Sequence, residues 1–161
     1  MSQGALFKRF GTKEHLIVSA FSHAAGKIPL IERLQQGPSD DPIPDQMVAL
    51  GTELIALFRH LVPCMTMLST SSLASQLMKG PDSPCVRGRK AWTRWFEIAQ
   101  SQGRTRTFDA TAMAVAFTGM LHARPFREEI IGDMGLTCSD ADYVTEVVGL
   151  IWGGMAPEVS K

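Results

Sequence analysis

The chain has 161 residues, and its sixteen basic and sixteen acidic side chains give a formal net charge of zero. This length suits one compact domain with at most a small additional unit, and 45% hydrophobic against 20% charged residues excludes a disordered chain. The balanced charge argues against nucleic-acid binding by the chain as a whole, although residues 1–36 hold five basic and two acidic side chains, an excess of three (5 − 2).

The cysteines, the N-terminal residues and the apolar stretches of the sequence indicate the cellular compartment of the protein. Cys64, Cys85 and Cys138 are odd in number, widely spaced and outside any Cys-x-x-Cys pair, which suits reduced thiols better than disulfides or a zinc site. We recognise no secretory signal, and the longest apolar stretch that we identify, near residues 110–121, is too short to span a bilayer. The sequence therefore predicts a cytoplasmic protein without membrane association.

Helical periodicity dominates the chain between four turn-rich segments, at residues 36–44, 79–84, 102–106 and 132–139. The clearest apolar stripe consists of Val144, Val147, Val148, Ile151, Trp152 and Met155. No convincing alternation typical of strands is present, so the prediction is an all-α fold. Helices are expected over residues 12–35, 44–62, 64–79, 84–102, 109–131 and 139–155, with Pro29 kinking the first or ending it early and Ser139 capping the last.

Residues 2–21 predict two helices that meet at the Gly11–Thr12 corner. Small residues at the start of the first helix let its backbone approach a surface, and the polar and basic residues beside them suit a DNA major groove. Lys13 begins the second helix, where its ammonium and the positive end of the helix could both meet a phosphate. Two ordinary amphipathic helices joined by a tight turn explain the same spacing equally well.

Residues 4–16, G-A-L-F-K-R-F-G-T-K-E-H-L, resemble the segment of the TetR family of bacterial transcriptional regulators that runs from the recognition helix into the next helix. The resemblance implies a set of DNA-binding residues, namely Ser2, Gln3, Gly4, Ala5, Phe7, Lys8, Arg9 and Lys13. Phe7 stands where the family usually has a tyrosine that contacts the DNA backbone, so the contact made by that hydroxyl is absent here.

The family places two further helices before this motif, whereas this sequence starts inside it. The resemblance divides the chain into a partial helix-turn-helix domain over residues 1–25 and a ligand-binding and dimerisation domain over residues 26–161. A start assigned at an internal GTG codon would explain Met1, and the upstream reading frame tests that hypothesis. A short helix without its packing partners is marginal in water, so we expect weak or absent operator binding by this chain and operator DNA as a partner of a full-length form.

Outside residues 1–21 the resemblance rests on the order and lengths of the helices. The last two helices of the family pair across a two-fold axis, which implies a homodimer here. The predicted dimer residues are Gly119, Val148, Gly149, Trp152 and Gly153. Glycines at positions 149 and 153 would permit a close approach of helices, and the alternative is that they pack against the core of their own chain.

An aromatic and methionine-rich set predicts a cavity for an apolar small molecule. Its members are Phe58, Met65, Trp92, Trp95, Phe96, Met113 and Phe117, with Met67 beside them. Each of these residues singly is as well explained by an ordinary hydrophobic core. His60 or His122 could anchor a polar group of the ligand.

Several other chemistries find no support in the sequence. The basic residues between positions 87 and 94 alternate with Trp92 and Trp95, and a solvated face with inward tryptophans explains this better than nucleic-acid contact. No phosphate-binding loop, metal-ligand pair or nucleophile–base spacing is evident, so we predict no enzyme, no metal and no cofactor. Two functions remain, a ligand-responsive transcriptional repressor and a small-molecule-binding helical dimer that does not contact DNA.

Overall fold

The computed structural model describes residues 28–68, 83–132 and 137–157, together with the single residues 11, 12, 15, 16, 19, 80 and 135. All regular structure in this part of the chain is helical, which confirms the predicted all-α fold. The helices are α1 (Pro29–Gln36), α2 (Ile43–Leu68), α3 (Pro84–Ser101), α4 (Ala110–Ile131) and α5 (Asp140–Met155). The predicted DNA-binding residues lie outside the described residues: Ser2, Gln3, Gly4, Ala5, Phe7, Lys8, Arg9 and Lys13.

Pro29 begins α1 and Ile28 before it is extended, so the helix predicted over residues 12–35 does not run unbroken through this proline. It occupies the first position of α1, where the missing N–H of proline costs no hydrogen bond and its fixed φ suits a helix. Gly37 ends α1 with a φ of +86°, a backbone conformation that favours glycine, and its N–H donates to the carbonyl of Leu34 over 3.1 Å.

The sequence predicted separate helices over residues 44–62 and 64–79, with a break at Pro63. That break is wrong, because α2 continues through this residue to Leu68. A proline inside a helix removes one N–H donor and its ring crowds the carbonyl of the residue four positions earlier, but packing against the rest of the protein can hold the helix together. Leu61 and Val62, which precede the proline, are 5% and 1% exposed, so the helix is anchored in the core at that turn. The Thr66 hydroxyl also donates to the carbonyl of Val62 over 3.0 Å.

Helix α2 lies at the centre of the bundle and packs mainly on α4 and α5, while α3 packs between α1 and α4. At Gly51 a side chain would place its Cβ 2.8 Å from Val144 Cγ1 and 3.1 Å from Leu121 Cδ1. Glycine at this position therefore permits the close approach of α2 to α4 and α5. The largest buried side chains of the core are Trp92, Trp95, Phe96, Phe117, Leu34 and Met47.

Residues 43–66 of α2 are long and apolar enough, by length and composition, to cross a membrane. The central helix of a helical bundle meets the same criterion. Arg59 lies within this stretch and pairs with Glu128 and Asp140, and a charged cluster of this kind is costly in hydrocarbon. The packing of α2 against three other helices accounts for its apolar composition.

Side-chain caps fix the beginnings of the last three helices. Ser83 and Asp109 accept hydrogen bonds from backbone N–H groups in the first turns of α3 and α4. Ser139 forms a reciprocal capping box with Asp142 at the start of α5, which confirms the predicted cap. The Ser139 hydroxyl accepts from the Asp142 N–H at 3.1 Å, and the Asp142 carboxylate accepts from the Ser139 N–H at 3.2 Å.

Removal of this cap should weaken the whole fold. We expect Ser139→Ala to lower the free energy of unfolding by about 1 kcal/mol, because the first turn of α5 loses its side-chain acceptor. Urea denaturation followed by circular dichroism measures the change. Thr145→Ala removes a hydroxyl from an exposed position in the middle of α5 and serves as the control. An equal loss in the two variants would contradict the capping role.

Candidate ligand cavity

A cavity of about 340 Å³ lies between α1, α2, α3 and α4. Helix α1 contributes Leu30, Ile31 and Leu34, all buried, because their spacing places them on one face of the helix. Helix α2 contributes the opposite apolar wall, with Leu54, Leu57, Phe58, Leu61 and Met65 at helical spacing. These two helices make one side of the cavity entirely hydrophobic.

Helices α3 and α4 form the other side of the cavity, which is more open. Along α3 the lining residues run from the exposed Cys85 through the partly exposed Arg89 to Trp92, which is 1% exposed. On α4 the lining residues Val115 and Gly119 are both exposed. Within the described residues, the mouth of the cavity therefore lies between the first turns of α3 and the outer face of α4.

The predicted ligand-binding residues separate into two groups. Phe58, Met65 and Trp92 line the cavity. The remaining members of the set do not line it: Trp95, Phe96 and Phe117 are buried in the core, and Met113 packs partly buried against it. Aromatic residues of both groups are in contact, since the rings of Trp92 and Phe117 meet edge to face at 4.9 Å. The side chain of Met67 lies outside the described residues.

Other residues that line the cavity were not among those predicted from the sequence. Leu54 and Leu57 have the helical spacing of an apolar stripe in the sequence, but such spacing does not show which residues contact a neighbouring helix and which face a cavity. Arg89 belonged to a basic run that predicted a solvated face. The two tryptophans of that run are 1% exposed, as the inward-facing interpretation predicts.

His122 is the histidine of the predicted pair that lines the cavity, whereas His60 is exposed. Its ring lies edge to face against Phe58 at 5.1 Å and stacks on Phe126 at 5.4 Å. Burial among these rings lowers the pKa of His122 below its ordinary value of 6.5, so the imidazole is neutral at pH 7.

The lowered pKa of His122 gives a prediction for stability against pH. The unfolded chain takes up a proton at this residue near the ordinary pKa, before the folded chain does, so acidification from about pH 7.5 to about pH 5.5 should lower the free energy of unfolding. His122→Gln should reduce this decline, and the exposed His60→Gln should not. Urea denaturation at the two pH values measures it. A decline that is the same in all three proteins would refute the assignment to His122.

A group of charged side chains next to the cavity joins α2, α4 and α5. The guanidinium of Arg59 donates two hydrogen bonds of 2.7 Å to the carboxylate of Asp140 and a third, of 2.6 Å, to Glu128. These hydrogen bonds lower the pKa of Asp140 and raise the pKa of Arg59, so both stay charged in the folded chain.

Arg124 is the buried member of this group, with a side chain that is 6% exposed. It forms ion pairs with Glu128 at 3.2 Å and Asp140 at 3.1 Å, and it donates to the carbonyl of Cys138 over 2.7 Å. Its guanidinium also lies over the ring of Tyr143, 5.2 Å from the centroid. Arg59 follows the cavity-lining Phe58 by one residue on α2, and Arg124 follows the cavity-lining His122 by two residues on α4. The charged group therefore lies on the two helices that form opposite walls of the cavity.

No family model and no curated protein matches the chain. Assignment of a function therefore depends on the geometry of the described residues and on the TetR resemblance of the opening segment.

The predicted dimer residues occupy different environments. Gly149 and Gly153 lie on the exposed face of α5, where a Cβ at either position would meet no heavy atom of the described residues within 4 Å. Trp152 is partly buried, and Val148 is 2% exposed and faces the core. Gly119 borders the cavity on α4.

The described residues show no arrangement that could hold a metal ion. No group of three or more His, Cys, Asp or Glu side chains comes together there. Cys64, Cys85 and Cys138 are free thiols, and Cys138 accepts a hydrogen bond from Arg124 at 3.4 Å.

Proposed function

We propose that the chain is a ligand-responsive transcriptional regulator of the TetR type. It is a cytoplasmic repressor that acts as a homodimer, and it binds an apolar small molecule in the cavity formed by α1, α2, α3 and α4. The cavity is the observation that carries the proposal. Its volume of about 340 Å³ falls at the lower end of the range of ligand pockets, roughly 300–1,000 Å³. Its walls are leucine, isoleucine, methionine and aromatic side chains with few polar groups, which suits binding rather than chemical conversion.

The charged group of Arg59, Arg124, Glu128 and Asp140 provides a route from the cavity to the rest of the bundle. Helices α2 and α4 both line the cavity, and this group joins them to α5. A ligand that fits one arrangement of these helices better than another shifts the population toward that arrangement. In a dimer that pairs through α4 and α5, such a shift changes the spacing of the two DNA-binding segments.

A fluorescent apolar probe tests the cavity directly. We expect saturable binding of N-phenyl-1-naphthylamine by the full chain, measured by the rise in probe fluorescence. Leu57→Trp fills the cavity from α2 and should abolish this binding, whereas Ala56→Trp adds the same side chain at an exposed position next to it. Equal binding by the two variants would place the probe elsewhere. Native mass spectrometry of the purified chain then seeks a co-purified ligand, which a regulator releases unchanged and an enzyme converts.

The exposed glycines of α5 support the homodimer. A glycine inside an exposed helix costs about 1 kcal/mol relative to alanine, and the packing of the described residues does not require it at positions 149 and 153. A close approach by a second copy of α5 would require it.

A leucine at position 149 tests the dimer contact, because the dimer contact and helix propensity predict opposite effects of this substitution. We expect Gly149→Leu to convert the dimer to a monomer, because the added side chain blocks the approach of the partner helix. In an isolated chain the same change should be stabilising, since leucine is a far better helix former than glycine. Light scattering coupled to gel filtration gives the mass, and Gln35→Leu on the exposed face of α1 is the control. A Gly149→Leu protein that stays dimeric, or a wild-type monomer, would disprove the α5 interface.

DNA contact in this proposal is supported by the resemblance of residues 4–16. A mobility-shift assay with the palindromic sequence nearest the gene tests it, and specific binding at nanomolar concentration would support this contact. Probe binding in the cavity without any DNA binding, even by a form that is extended at its N-terminus, would favour the second candidate, a helical dimer that senses a small molecule but does not contact DNA.

A further inference from the structure

We propose that the cavity selects apolar molecules that end in a carboxylate, and that Arg89 holds this group. The inference rests on the proposed ligand-binding function and adds the chemistry of the ligand. It is carried by two residues of the cavity wall, namely the cationic Arg89 and Trp92, whose buried indole N–H has no acceptor in the described part of the chain.

Arg89 is the single charged side chain among the described residues that line the cavity, and none of these residues carries a carboxylate. The ion pairs found in the described part of the chain belong to Arg33, Arg59 and Arg124. The neighbouring Arg94 donates to the carbonyl of Gln35, so it does not share this role. Within the described part of the chain, the positive charge of Arg89 on the cavity wall therefore has no acidic partner, which favours an anionic ligand and disfavours a cationic one.

Trp92 supplies a second donor one helical turn further along α3. It also lines the cavity, it is 1% exposed, and its indole Nε1 is buried without an acceptor in the described part of the chain. The remaining polar groups do not change this picture: the Thr118 hydroxyl donates to the Ala114 carbonyl of its own helix, and His122 is neutral at pH 7. A buried donor without a partner is unfavourable, so a ligand that brings acceptor oxygens gains binding energy that a hydrocarbon cannot.

The position of Arg89 sets the orientation of the ligand. It lies between the exposed Cys85 at the mouth and the buried Trp92, while the walls from α1 and α2 are hydrocarbon. A carboxylate near the mouth can accept two parallel hydrogen bonds from the guanidinium and stay partly hydrated. The apolar body then extends toward Leu34 and Leu54, and the volume of about 340 Å³ suits a medium-length chain or a small ring system.

Three probes with the same hydrocarbon chain separate charge from hydrophobicity. Octanoate, octanol and octyltrimethylammonium compete with N-phenyl-1-naphthylamine for the full chain at about pH 7.5. We expect octanoate to displace the probe at a concentration about tenfold lower than octanol, with octyltrimethylammonium the weakest, which corresponds to about 1.4 kcal/mol between acid and alcohol. Arg89→Gln should reduce the ratio of octanol to octanoate concentrations to near one. Lys90→Gln removes an adjacent exposed charge that does not line the cavity, and it should keep the wild-type ratio.

The possible results separate this inference from the function on which it rests. Displacement by octanoate and octanol at equal concentrations in the wild-type chain would overturn the carboxylate selectivity and leave a ligand-binding cavity. A preference that survives in Arg89→Gln, or disappears equally in Lys90→Gln, would overturn the role of Arg89. If the naphthylamine probe does not bind at all, the cavity is not a ligand site and the proposed function fails together with the inference. Circular dichroism and thermal unfolding establish that both variants are folded.

Discussion

Replacement of Arg124 by methionine is expected to lower the free energy of unfolding by about 3–5 kcal/mol. The methionine retains much of the hydrocarbon of the side chain but removes the guanidinium, which is 6% exposed in the folded chain. Glu128 and Asp140 then lose one cationic partner, and the carbonyl of Cys138 loses its donor. Glu128 and Asp140 keep Arg59 as a partner, so the loss comes from the buried ion pairs and hydrogen bonds of Arg124 itself, and it exceeds that of an ordinary surface ion pair.

Arg33→Met provides the matched control for this prediction. Arg33 pairs with Glu53, but the two side chains are 48% and 47% exposed, so water screens the pair and its loss should cost less than about 1 kcal/mol. Chemical denaturation of the three proteins under one condition measures both changes. Similar losses in Arg124→Met and Arg33→Met would show that the buried charged group does not hold α2, α4 and α5 together.

The difference in free energy of unfolding between the wild type and Arg124→Met should also depend on pH, which gives a further test of the charged group. Hydrogen bonds from Arg59, together with the charge of Arg124, hold the pKa of Asp140 below its ordinary value of 3.8, so the part of its stabilisation that depends on Arg124 is present above that value. It is lost as the pH falls through the lower pKa of the folded chain. The difference between the wild type and Arg124→Met should therefore persist at about pH 5 and shrink only in more acidic solution.

Phe117→Ala is the second substitution with a large expected effect, a loss of about 3–5 kcal/mol in the free energy of unfolding. Phe117 is 0% exposed and packs on Trp92 at 4.9 Å and on Phe96 at 6.4 Å. Its ring also lies at a close approach of α2 to α4, since a Cβ at Gly51 would be 3.2 Å from its Cζ atom. Truncation leaves a void that the tightly packed neighbours cannot fill.

Phe58→Ala distinguishes a core aromatic from one on the cavity wall. Phe58 is partly exposed and already faces empty space, so its truncation should cost less stability than that of Phe117. It enlarges the cavity and removes the ring that packs against His122, so the affinity for N-phenyl-1-naphthylamine should fall severalfold. Denaturation and probe titration of both variants measure the contrast. Equal losses of stability, or an unchanged probe affinity in Phe58→Ala, would contradict the division of the aromatic set into core and wall.

The amino-acid sequence determined the features of this protein that depend on neighbours along the chain. Apolar residues at helical spacing predicted an all-α fold, because one face of a helix must be buried whatever it packs against. Turn residues located the ends of α3 and α4 to within one residue, and Ser139 with Asp142 marked the start of α5 through hydrogen bonds between residues three apart. The resemblance of residues 4–16 to TetR regulators is also a local pattern, and most of that segment lies outside the described residues.

Only the tertiary structure decided which members of these patterns share a site. Phe58 and Phe117 looked alike in the sequence, and they separate because α2 and α4 leave a space next to the first and none around the second. Arg59 reaches Asp140 across 81 positions of the chain, and no local spacing predicts a contact over that distance. For the same reason, the place of Arg89 on the cavity wall was not predictable, since it depends on how four helices pack and not on the basic run to which it belongs.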